Sequence, residues 1–347
     1  MVIILAAVAV AATLGFQPHS SVIPREVTAI ACGDANHCMA VGLNFSQVSG
    51  APASYETRSS DDGKSWLTAQ AGPVSGLTRI SCETASICIS GGQADRAATT
   101  RDGGTKWKVQ PSPVFSSATA CTSANQCEAT GFENGTGNAA LLVLAHDRGL
   151  ASVVRMVPGM ENPTGLACPD DEHCLVAGEA IVPVGAAAVP VLASTGDAGT
   201  TWQHLPLPSG TGSIIDLICI DDSNCVAVTG KNRFLATTNA GATWANRALL
   251  GATPSALVTP TPIGVACVDA STCVVVDVGI PEAQVTSDRG LTWHGVPLPL
   301  NRASPTFVEC QKSGSCLIGG ASSGQAGPPM ILRSGNAGRS WNPVWQG

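Results

Sequence analysis

The sequence predicts an all-β fold, a seven-bladed β-propeller of four-stranded antiparallel blades with one disulfide inside each blade. Three observations predict it. All 14 cysteines fall into seven pairs with the same Cys-x5-Cys spacing, and a glycine-containing turn motif follows each pair. Short β-prone runs flank both features at a period of roughly 40 to 50 residues, which is typical of propeller blades. We call each unit of one pair and one motif a repeat, numbered 1 to 7 along the chain.

The cysteine pairs are predicted to be disulfides, each closing the hairpin between the first two strands of a blade. An even count with one repeated spacing is typical of a disulfide framework in an oxidising compartment. A metal site would need further ligands beside each pair, yet only two of the intervening loops contain a histidine, His37 and His173. The predicted structural disulfides are Cys32 to Cys38, Cys82 to Cys88, Cys121 to Cys127, Cys168 to Cys174, Cys219 to Cys225, Cys267 to Cys273 and Cys310 to Cys316.

The turn motif has the pattern S/T-x-D/N-x-G-x-x-W and is predicted to join the third and fourth strands of a blade. Its Asp or Asn can accept hydrogen bonds from backbone N–H groups that follow it, and its glycine tolerates a positive φ. Its Trp begins the next strand and buries a large apolar face. These roles are structural, so we expect neither catalysis nor metal binding here. The residues concerned are Asp61, Gly63, Trp66, Asp102, Gly104, Trp107, Asp147, Gly149, Asp197, Gly199, Trp202, Asn239, Gly241, Trp244, Asp288, Gly290, Trp293, Asn336, Gly338 and Trp341.

This octapeptide resembles the Asp-box, or BNR repeat, of sialidase-like proteins and of the photosystem II assembly-factor type of propeller. The resemblance rests on seven copies in register between about Arg25 and Gly347. It implies a propeller in which the motif lies on the turn between the third and fourth strands. The third copy, from Ala145 to Ser152, lacks the first hydroxyl and the Trp and departs from the pattern.

The chain is expected to divide into residues 1–24, a signal peptide or N-terminal membrane anchor, and residues 25–347, the propeller. The segment from Val2 to Phe16 is apolar or small, which is shorter than the roughly 20 apolar residues of a membrane span. No basic residue precedes it, so an uncleaved anchor stays an alternative. Together with the cysteines, this predicts a secreted or cell-envelope location, and the abundant Ala, Gly and Pro favour a bacterial source.

The low charge of the chain limits the classes of partner that can be expected. Charged residues make up 12% of the sequence and the net charge is -7, so no nucleic acid is expected as a partner. No phosphate-binding loop, nucleotide fingerprint or metalloprotease motif occurs, so no cofactor is expected either. A monomer is expected.

Strand alternation assigns the two faces of the predicted propeller. The disulfide hairpins and the turn motifs must share one face, here called the disulfide face. The connections between second and third strands lie on the opposite loop face, and they are longer in repeats 1, 3, 4 and 7. We expect these four connections to form two walls flanking a groove, because recognition usually lies on loops of a rigid scaffold. The candidate binding residues on the loop face are Asn44, Gln47, Glu133, Asn134, Lys231, Arg233 and Glu282.

The sequence favours an exported, non-catalytic binding or scaffolding module that recognises a protein or a cell-wall glycan through the loop face. The alternative is a glycoside hydrolase. The sialidase resemblance implies a tyrosine nucleophile, but the only tyrosine is Tyr55, just before the first turn motif. A two-carboxylate glycosidase needs paired acids across a cleft, and no spacing marks such a pair. The carboxylates considered are Glu133, Glu161, Glu179, Asp216, Asp277 and Glu282.

Overall fold

The computed structural model describes residues 26–44, 53–92, 96–123, 126–133, 138–145, 151–183, 185–250, 261–278, 280–300, 303–322 and 329–346. The predicted leader or anchor, most of the third turn motif with Asp147 and Gly149, and the candidate residues Gln47 and Asn134 lie outside these ranges. All regular elements within the ranges are strands. They include no helix long and apolar enough to cross a membrane.

The strands are numbered β1 to β27 in chain order. Repeats 1 and 2 contain β1 (Glu26–Cys32), β2 (Cys38–Asn44), β3 (Ala53–Ser59), β4 (Gln70–Ala71), β5 (Leu77–Cys82), β6 (Cys88–Gly92), β7 (Arg96–Thr100) and β8 (Trp107–Pro111). Repeats 3 and 4 contain β9 (Val114–Ser123), β10 (Gln126–Glu133), β11 (Asn138–Ala145), β12 (Ala151–Ala167), β13 (Cys174–Ala180), β14 (Pro190–Thr195) and β15 (Gln203–Leu205). Repeats 5 to 7 contain β16 (Ile214–Cys219), β17 (Cys225–Thr229), β18 (Arg233–Thr237), β19 (Ala245–Ala248), β20 (Thr261–Cys267), β21 (Cys273–Val278), β22 (Glu282–Thr286), β23 (His294–Pro297), β24 (Ala303–Cys310), β25 (Cys316–Ser322), β26 (Met330–Ser334) and β27 (Asn342–Gln346).

Pairing within each repeat is antiparallel between consecutive strands. Repeats 2, 5 and 6 each form a separate four-stranded sheet. Repeats 3 and 4 share β12, whose first half pairs with β11 and whose second half pairs with β13. Repeats 7 and 1 are joined into one sheet by a single bridge between Glu26 and Ala321. The prediction of an all-β fold built of four-stranded antiparallel units is confirmed.

The seven predicted disulfides are all present, and each closes the hairpin of one repeat. The paired cysteines lie opposite one another, as Cys219 and Cys225 do at the end of β16 and the start of β17, with a Cα–Cα distance of 4.0 Å. No free cysteine occurs among the described residues. Each bridge therefore connects strand ends that the sheet already holds together.

The sixth turn motif shows how the motif residues are used. The Thr286 hydroxyl donates to Asp288 Oδ1 (2.8 Å) and accepts the N–H of Gly290 (2.9 Å). Hydrogen bonds from the side chain and backbone of Thr292 lower the pKa of Asp288 to about 2. Gly290 has φ +79°, and a Cβ there would lie 2.6 Å from Phe234 of the preceding repeat. The same phenylalanine meets Trp293 edge to face with ring centroids 5.0 Å apart.

Each described turn motif is also tied to the hairpin of its own repeat. The residue after the Asp or Asn donates its N–H to a hairpin carbonyl, as Arg289 does to Ser271 (2.9 Å). That residue has a positive φ in six repeats, at Asp62, Gly103, Ala198, Ala240, Arg289 and Ala337. The hairpins and the turn motifs therefore lie on one face of the molecule.

The first strands of the seven repeats form a closed circuit of contacts. β1 contacts β5, β5 contacts β9, β9 contacts β12, and the series continues through β16, β20 and β24 back to β1. Each hydrophobic cluster lies between two neighbouring repeats, and one of them joins Val27 and Tyr55 of repeat 1 to Leu317 and Ile331 of repeat 7. The core is thus a series of interfaces around an axis.

Arginines add hydrogen bonds between neighbouring repeats. In three places a guanidinium donates to the carbonyl of the residue that follows the Asp of the next turn motif, including the interface between the last repeat and the first. The pairs are Arg58 with Gly103, Arg247 with Arg289, and Arg333 with Asp62.

Candidate functional site

The structure places the described candidate residues of the loop face in separate local contacts. Arg233 donates from Nε to Asn246 Oδ1 on the neighbouring strand (2.6 Å). The carboxylate of Glu282 covers Gly295, where a Cβ would lie 2.4 Å from Oε2. Glu133 ends β10, and for Asn44 only the backbone at the end of β2 is described. Much of the predicted groove, formed by the connections of repeats 1, 3 and 7, lies outside the described ranges.

One loop-face cleft is described in full, between repeats 4 and 5. It has a volume of about 470 Å³ and is formed by three segments: residues 188–190 before β14, residues 207–213 between the repeats, and residues 230–231 between β17 and β18. We call it the loop-face cleft. Its volume falls within the roughly 300 to 1,000 Å³ of small-ligand and peptide pockets.

The walls of the loop-face cleft are held by backbone hydrogen bonds. Ala180 donates to the carbonyl of Val189 (2.8 Å), which fixes the connection that follows β13. Gly230 donates to the carbonyl of Ser213 (2.9 Å), which joins the inter-repeat link to the β17–β18 turn. The Lys231 stem lies over Gly212, where a Cβ would meet its Cγ at 2.7 Å. Gly212 has φ +55°, so both the backbone and the lysine require a glycine there.

The cleft combines an exposed apolar side chain with one cation. Val189 is 48% exposed on the connection that forms one wall, and Ile181, 55% exposed, lies on the same connection outside the cleft lining. Lys231 is exposed on the opposite wall. Pro190, Leu207 and Pro208 line the cleft as well, so its wall is partly apolar, as in most ligand pockets. The amino group of Lys231 offers three hydrogen-bond donors at the rim.

A carboxylate, Glu179, lies next to the cleft, and each of its two oxygens accepts a hydrogen bond. Its Oε1 accepts a hydrogen bond from Ser213 Oγ (2.9 Å), and its Oε2 accepts one from Asn162 Nδ2 (3.0 Å). Glu179 pairs directly with Glu161 across β12 and β13. These contacts link repeat 3, repeat 4 and the cleft.

The two aspartates considered for catalysis are used inside the fold. Asp277 is 0% exposed, its Oδ2 accepts from Gln284 Nε2 (2.7 Å), and burial raises its pKa to about 6. Asp216 accepts backbone N–H groups from Leu217 and from Val265 of the next repeat, both at 2.9 Å. Neither arrangement presents a free carboxylate to a bound glycan.

Tyr55 is also withdrawn from solvent. It is 0% exposed and stacks on Trp345 of the last repeat with ring centroids 6.2 Å apart. A nucleophile must reach its substrate, so Tyr55 serves the interface between the last and first repeats instead.

A channel of about 380 Å³ runs along the circuit of first strands. Four charged side chains line it: Arg79, Asp216, Glu309 and Lys312. Arg79 donates to the carbonyls of Ser117 (2.6 Å) and Thr78 (2.9 Å), which ties repeat 2 to repeat 3. Burial, assisted by the nearby Asp216 carboxylate, raises the pKa of Glu309 to about 8. No group of three or more His, Cys, Asp or Glu in the described part of the chain is arranged to hold a metal ion.

Two contributors to the loop-face cleft were missed from the sequence: Val189 and Ser213. The signal for Val189 was present, since the long connection of repeat 4 reads EAIVPVGAAAVP and mixes branched aliphatic residues with Pro and Gly. Ser213 carries no sequence signal, because its role depends on a partner 34 residues away.

Comparison with solved structures shows the fold class. "YCF48 bound to D1 peptide" matches with TM-score 0.60 and 13% identity, covering 86% of this chain and 92% of that chain. The WD40 β-propeller domain of Doa1 matches with TM-score 0.60 and 11% identity, covering 92% and 95%. A streptogramin B lyase matches with TM-score 0.57 and 14% identity, covering 77% and 82%. The chain is therefore a β-propeller.

No family model matches the sequence, and no curated protein matches it.

Proposed function

We propose that the chain is an exported, non-catalytic, seven-bladed binding propeller of the cell envelope, and that its loop-face cleft holds an extended segment of a partner protein. The observation that carries the proposal is the juxtaposition of Val189, about half exposed, and Leu207 with the exposed Lys231 around one cleft.

The blade count is supported by the closed circuit of seven first strands and by one disulfide hairpin in each repeat. The turn geometry, with a hydroxyl, an Asp and a positive-φ glycine, supports the Asp-box interpretation. The seven disulfides are consistent with an extracytoplasmic location, because such bridges persist in oxidising compartments.

The chemistry of the cleft favours a peptide with an acidic group. Apolar side chains at the rim would cover alternate residues of an extended chain, and the ammonium would pair with a carboxylate. A structurally similar propeller was solved with a peptide bound, which agrees with this use of the fold. Both oxygens of Glu179, the carboxylate next to the cleft, already accept hydrogen bonds, which supports binding rather than catalysis.

A peptide array tests the proposal. Dodecapeptides with and without acidic residues are probed with the full chain, and hits are titrated in solution. We expect Val189→Ser and Lys231→Ala each to weaken binding of an acidic hit about tenfold, which corresponds to about 1.4 kcal/mol.

The matched control is Lys312→Ala, because Lys312 is an exposed lysine on the hairpin of repeat 7, on the opposite face. Binding that survives both cleft variants, or is weakened equally by Lys312→Ala, would contradict the assignment. Binding of glycans instead of peptides through the same residues would replace the protein partner by a glycan.

The alternative, a glycoside hydrolase, is favoured by one observation. Glu161 and Glu179 lie directly opposite each other on β12 and β13, where paired Cβ atoms are roughly 4.5–5.5 Å apart. Side chains that leave one sheet face at neighbouring positions can bring their carboxyl groups to the separation of about 5–5.5 Å that retaining glycosidases use. Turnover of chromogenic glycosides that is lost in Glu161→Gln or Glu179→Gln would establish hydrolysis and overturn the binding proposal.

A further inference from the structure

Two equivalent clefts occur on the disulfide face, away from the loop-face cleft. The first hairpin cleft lies between repeats 1 and 2 and has a volume of about 380 Å³. The second hairpin cleft lies between repeats 4 and 5 and has a volume of about 490 Å³. Both are formed by the hairpin and turn motif of one repeat together with the hairpin of the next.

The two clefts are lined by the same positions of the repeat. A histidine directly before the second cysteine, a hydroxyl residue directly before the motif tryptophan, and that tryptophan recur in both. They are His37, Ser65 and Trp66 in the first cleft, and His173, Thr201 and Trp202 in the second.

Repeats 1 and 4 are the two repeats of the sequence with histidine before the second cysteine. In both, an aspartate three residues earlier holds the ring. Asp34 Oδ2 lies 2.9 Å from His37 Nδ1, and Asp170 Oδ2 lies 2.8 Å from His173 Nδ1. Because a carboxylate accepts at Nδ1, that nitrogen carries a proton, and in the neutral imidazole Nε2 is then an acceptor. The histidine side chains are 48% and 59% exposed, so Nε2 is open to a ligand.

The hairpin itself does not need the histidine. In repeat 5 the same position is Asn224, whose Nδ2 donates to Asp221 at 2.8 Å, and Asp221 accepts the same two backbone N–H groups as its counterparts. The imidazole is therefore an addition to a hairpin that is complete with asparagine, and in repeats 1 and 4 it lines a cleft.

The hydroxyl groups in the clefts are also oriented as acceptors. Ser65 Oγ donates to Asp61 Oδ2 (2.6 Å), and Thr201 Oγ1 donates to Asp197 Oδ2 (2.7 Å). Each hydroxyl proton is thereby used, so a ligand can bind to these oxygens only as a donor. Each cleft thus offers an imidazole acceptor and a hydroxyl acceptor beside an indole ring.

We propose that the two hairpin clefts are saccharide sites, each taking one or two units of a neutral, hydroxyl-rich glycan. Sugar hydroxyls supply the donors that the paired acceptors require, and the C–H face of a sugar ring packs against an indole. Phosphates and other anions are disfavoured in the second cleft, because Asp170 and Asp222 line it. The clefts are three repeats apart, so a polysaccharide that reaches both gains avidity.

The test uses His37→Asn, His173→Asn and the double variant, because asparagine keeps the hairpin as repeat 5 has it. Neutral hexasaccharides of β-1,4-linked glucose, of N-acetylglucosamine and of mannose are titrated by calorimetry, with inorganic phosphate as a charged comparison. We expect at least one hexasaccharide to bind two sites per chain. Each single variant should weaken one of the two sites roughly three- to tenfold, the effect of losing one hydrogen bond, and the double variant should weaken both.

Lys231→Ala is the control, because it alters only the loop-face cleft and should leave saccharide binding unchanged. The same variant is expected to weaken peptide binding at the loop-face cleft, so failure of the saccharide proposal can be distinguished from failure of the proposed function. The proposal is overturned if no neutral hexasaccharide binds, if phosphate binds in preference, or if the double variant, with an unchanged melting temperature, binds as tightly as the natural chain.

Discussion

Replacing Glu128 by Gln is expected to stabilise the protein at alkaline pH. Glu128 lies on β10, is 1% exposed, and accepts a hydrogen bond from Gln126 Nε2 (2.7 Å). Burial raises its pKa to about 8, and the nearby carboxylates of Asp171 and Asp170 contribute to the increase, against hydrogen bonds from Gln126 and Thr122. The carboxyl group is therefore largely neutral in the folded protein at pH 7, whereas in the unfolded chain it ionises near the ordinary glutamate pKa of 4.5.

The direction follows from proton uptake. Between these two pKa values the folded state holds one proton more than the unfolded state, so stability is fully present below pH 4.5 and falls as the pH rises towards 8. Each pKa unit corresponds to about 1.36 kcal/mol. Glu128 alone should lower the free energy of unfolding by about 3 kcal/mol between pH 5.5 and pH 8.

The assay is guanidinium unfolding at pH 5.5 and pH 8, followed by tryptophan fluorescence without reductant. Glutamine keeps an oxygen for Gln126 and cannot ionise, so the advantage of Glu128→Gln over the natural protein should grow by about 3 kcal/mol across this range. Glu282→Gln, at an exposed carboxylate, is the control. Equal pH slopes for Glu128→Gln and the natural protein would refute the reasoning.

Three further predictions concern the scaffold. Reduction of the seven bridges should unfold the protein at 37 °C, because the chain-entropy model gives about 2.4 kcal/mol for each seven-residue loop; a melting temperature that reductant leaves unchanged would contradict this. Gly290→Ala should cost at least about 2 kcal/mol more in unfolding free energy than Gly210→Ala, since both positions have positive φ but only the first Cβ meets other atoms; equal losses in denaturant titrations would refute it. Arg333→Met should cost about 3 kcal/mol by removing the partner of half-buried Asp62, whereas exposed Arg339→Met should cost little; similar melting temperatures for the two variants would count against this role.

The local features of the fold could be predicted from the sequence because their determinants are close together in the chain. A disulfide such as Cys219 to Cys225 closes a hairpin of seven residues, and a turn motif such as Thr286 to Trp293 contains its own hydrogen-bond partners. The repetition of both then indicated the propeller. The continuous β12 was not predicted, because the pattern gives no reason for two repeats to share one extended strand.

The candidate sites were harder to predict because their partners are distant in sequence. Lys231 was selected from its connection, but the apolar wall at Val189 belongs to another repeat. In the sequence, the two histidines entered only the argument against a metal site. Their alignment with clefts needs the packing of one hairpin against the next, which no local pattern encodes.

Neighbouring repeats are not connected equally strongly around the circuit of strands, and this difference has a mechanical consequence. Repeats 3 and 4 are connected by the unbroken β12, whereas repeats 7 and 1 meet through one backbone bridge, an arginine and side-chain packing. A tensile load applied across the molecule should therefore part it first between the last repeat and the first. The individual sheets, each clamped by its own sulfur bridge, should survive that opening and allow the circle to close again when the load is released.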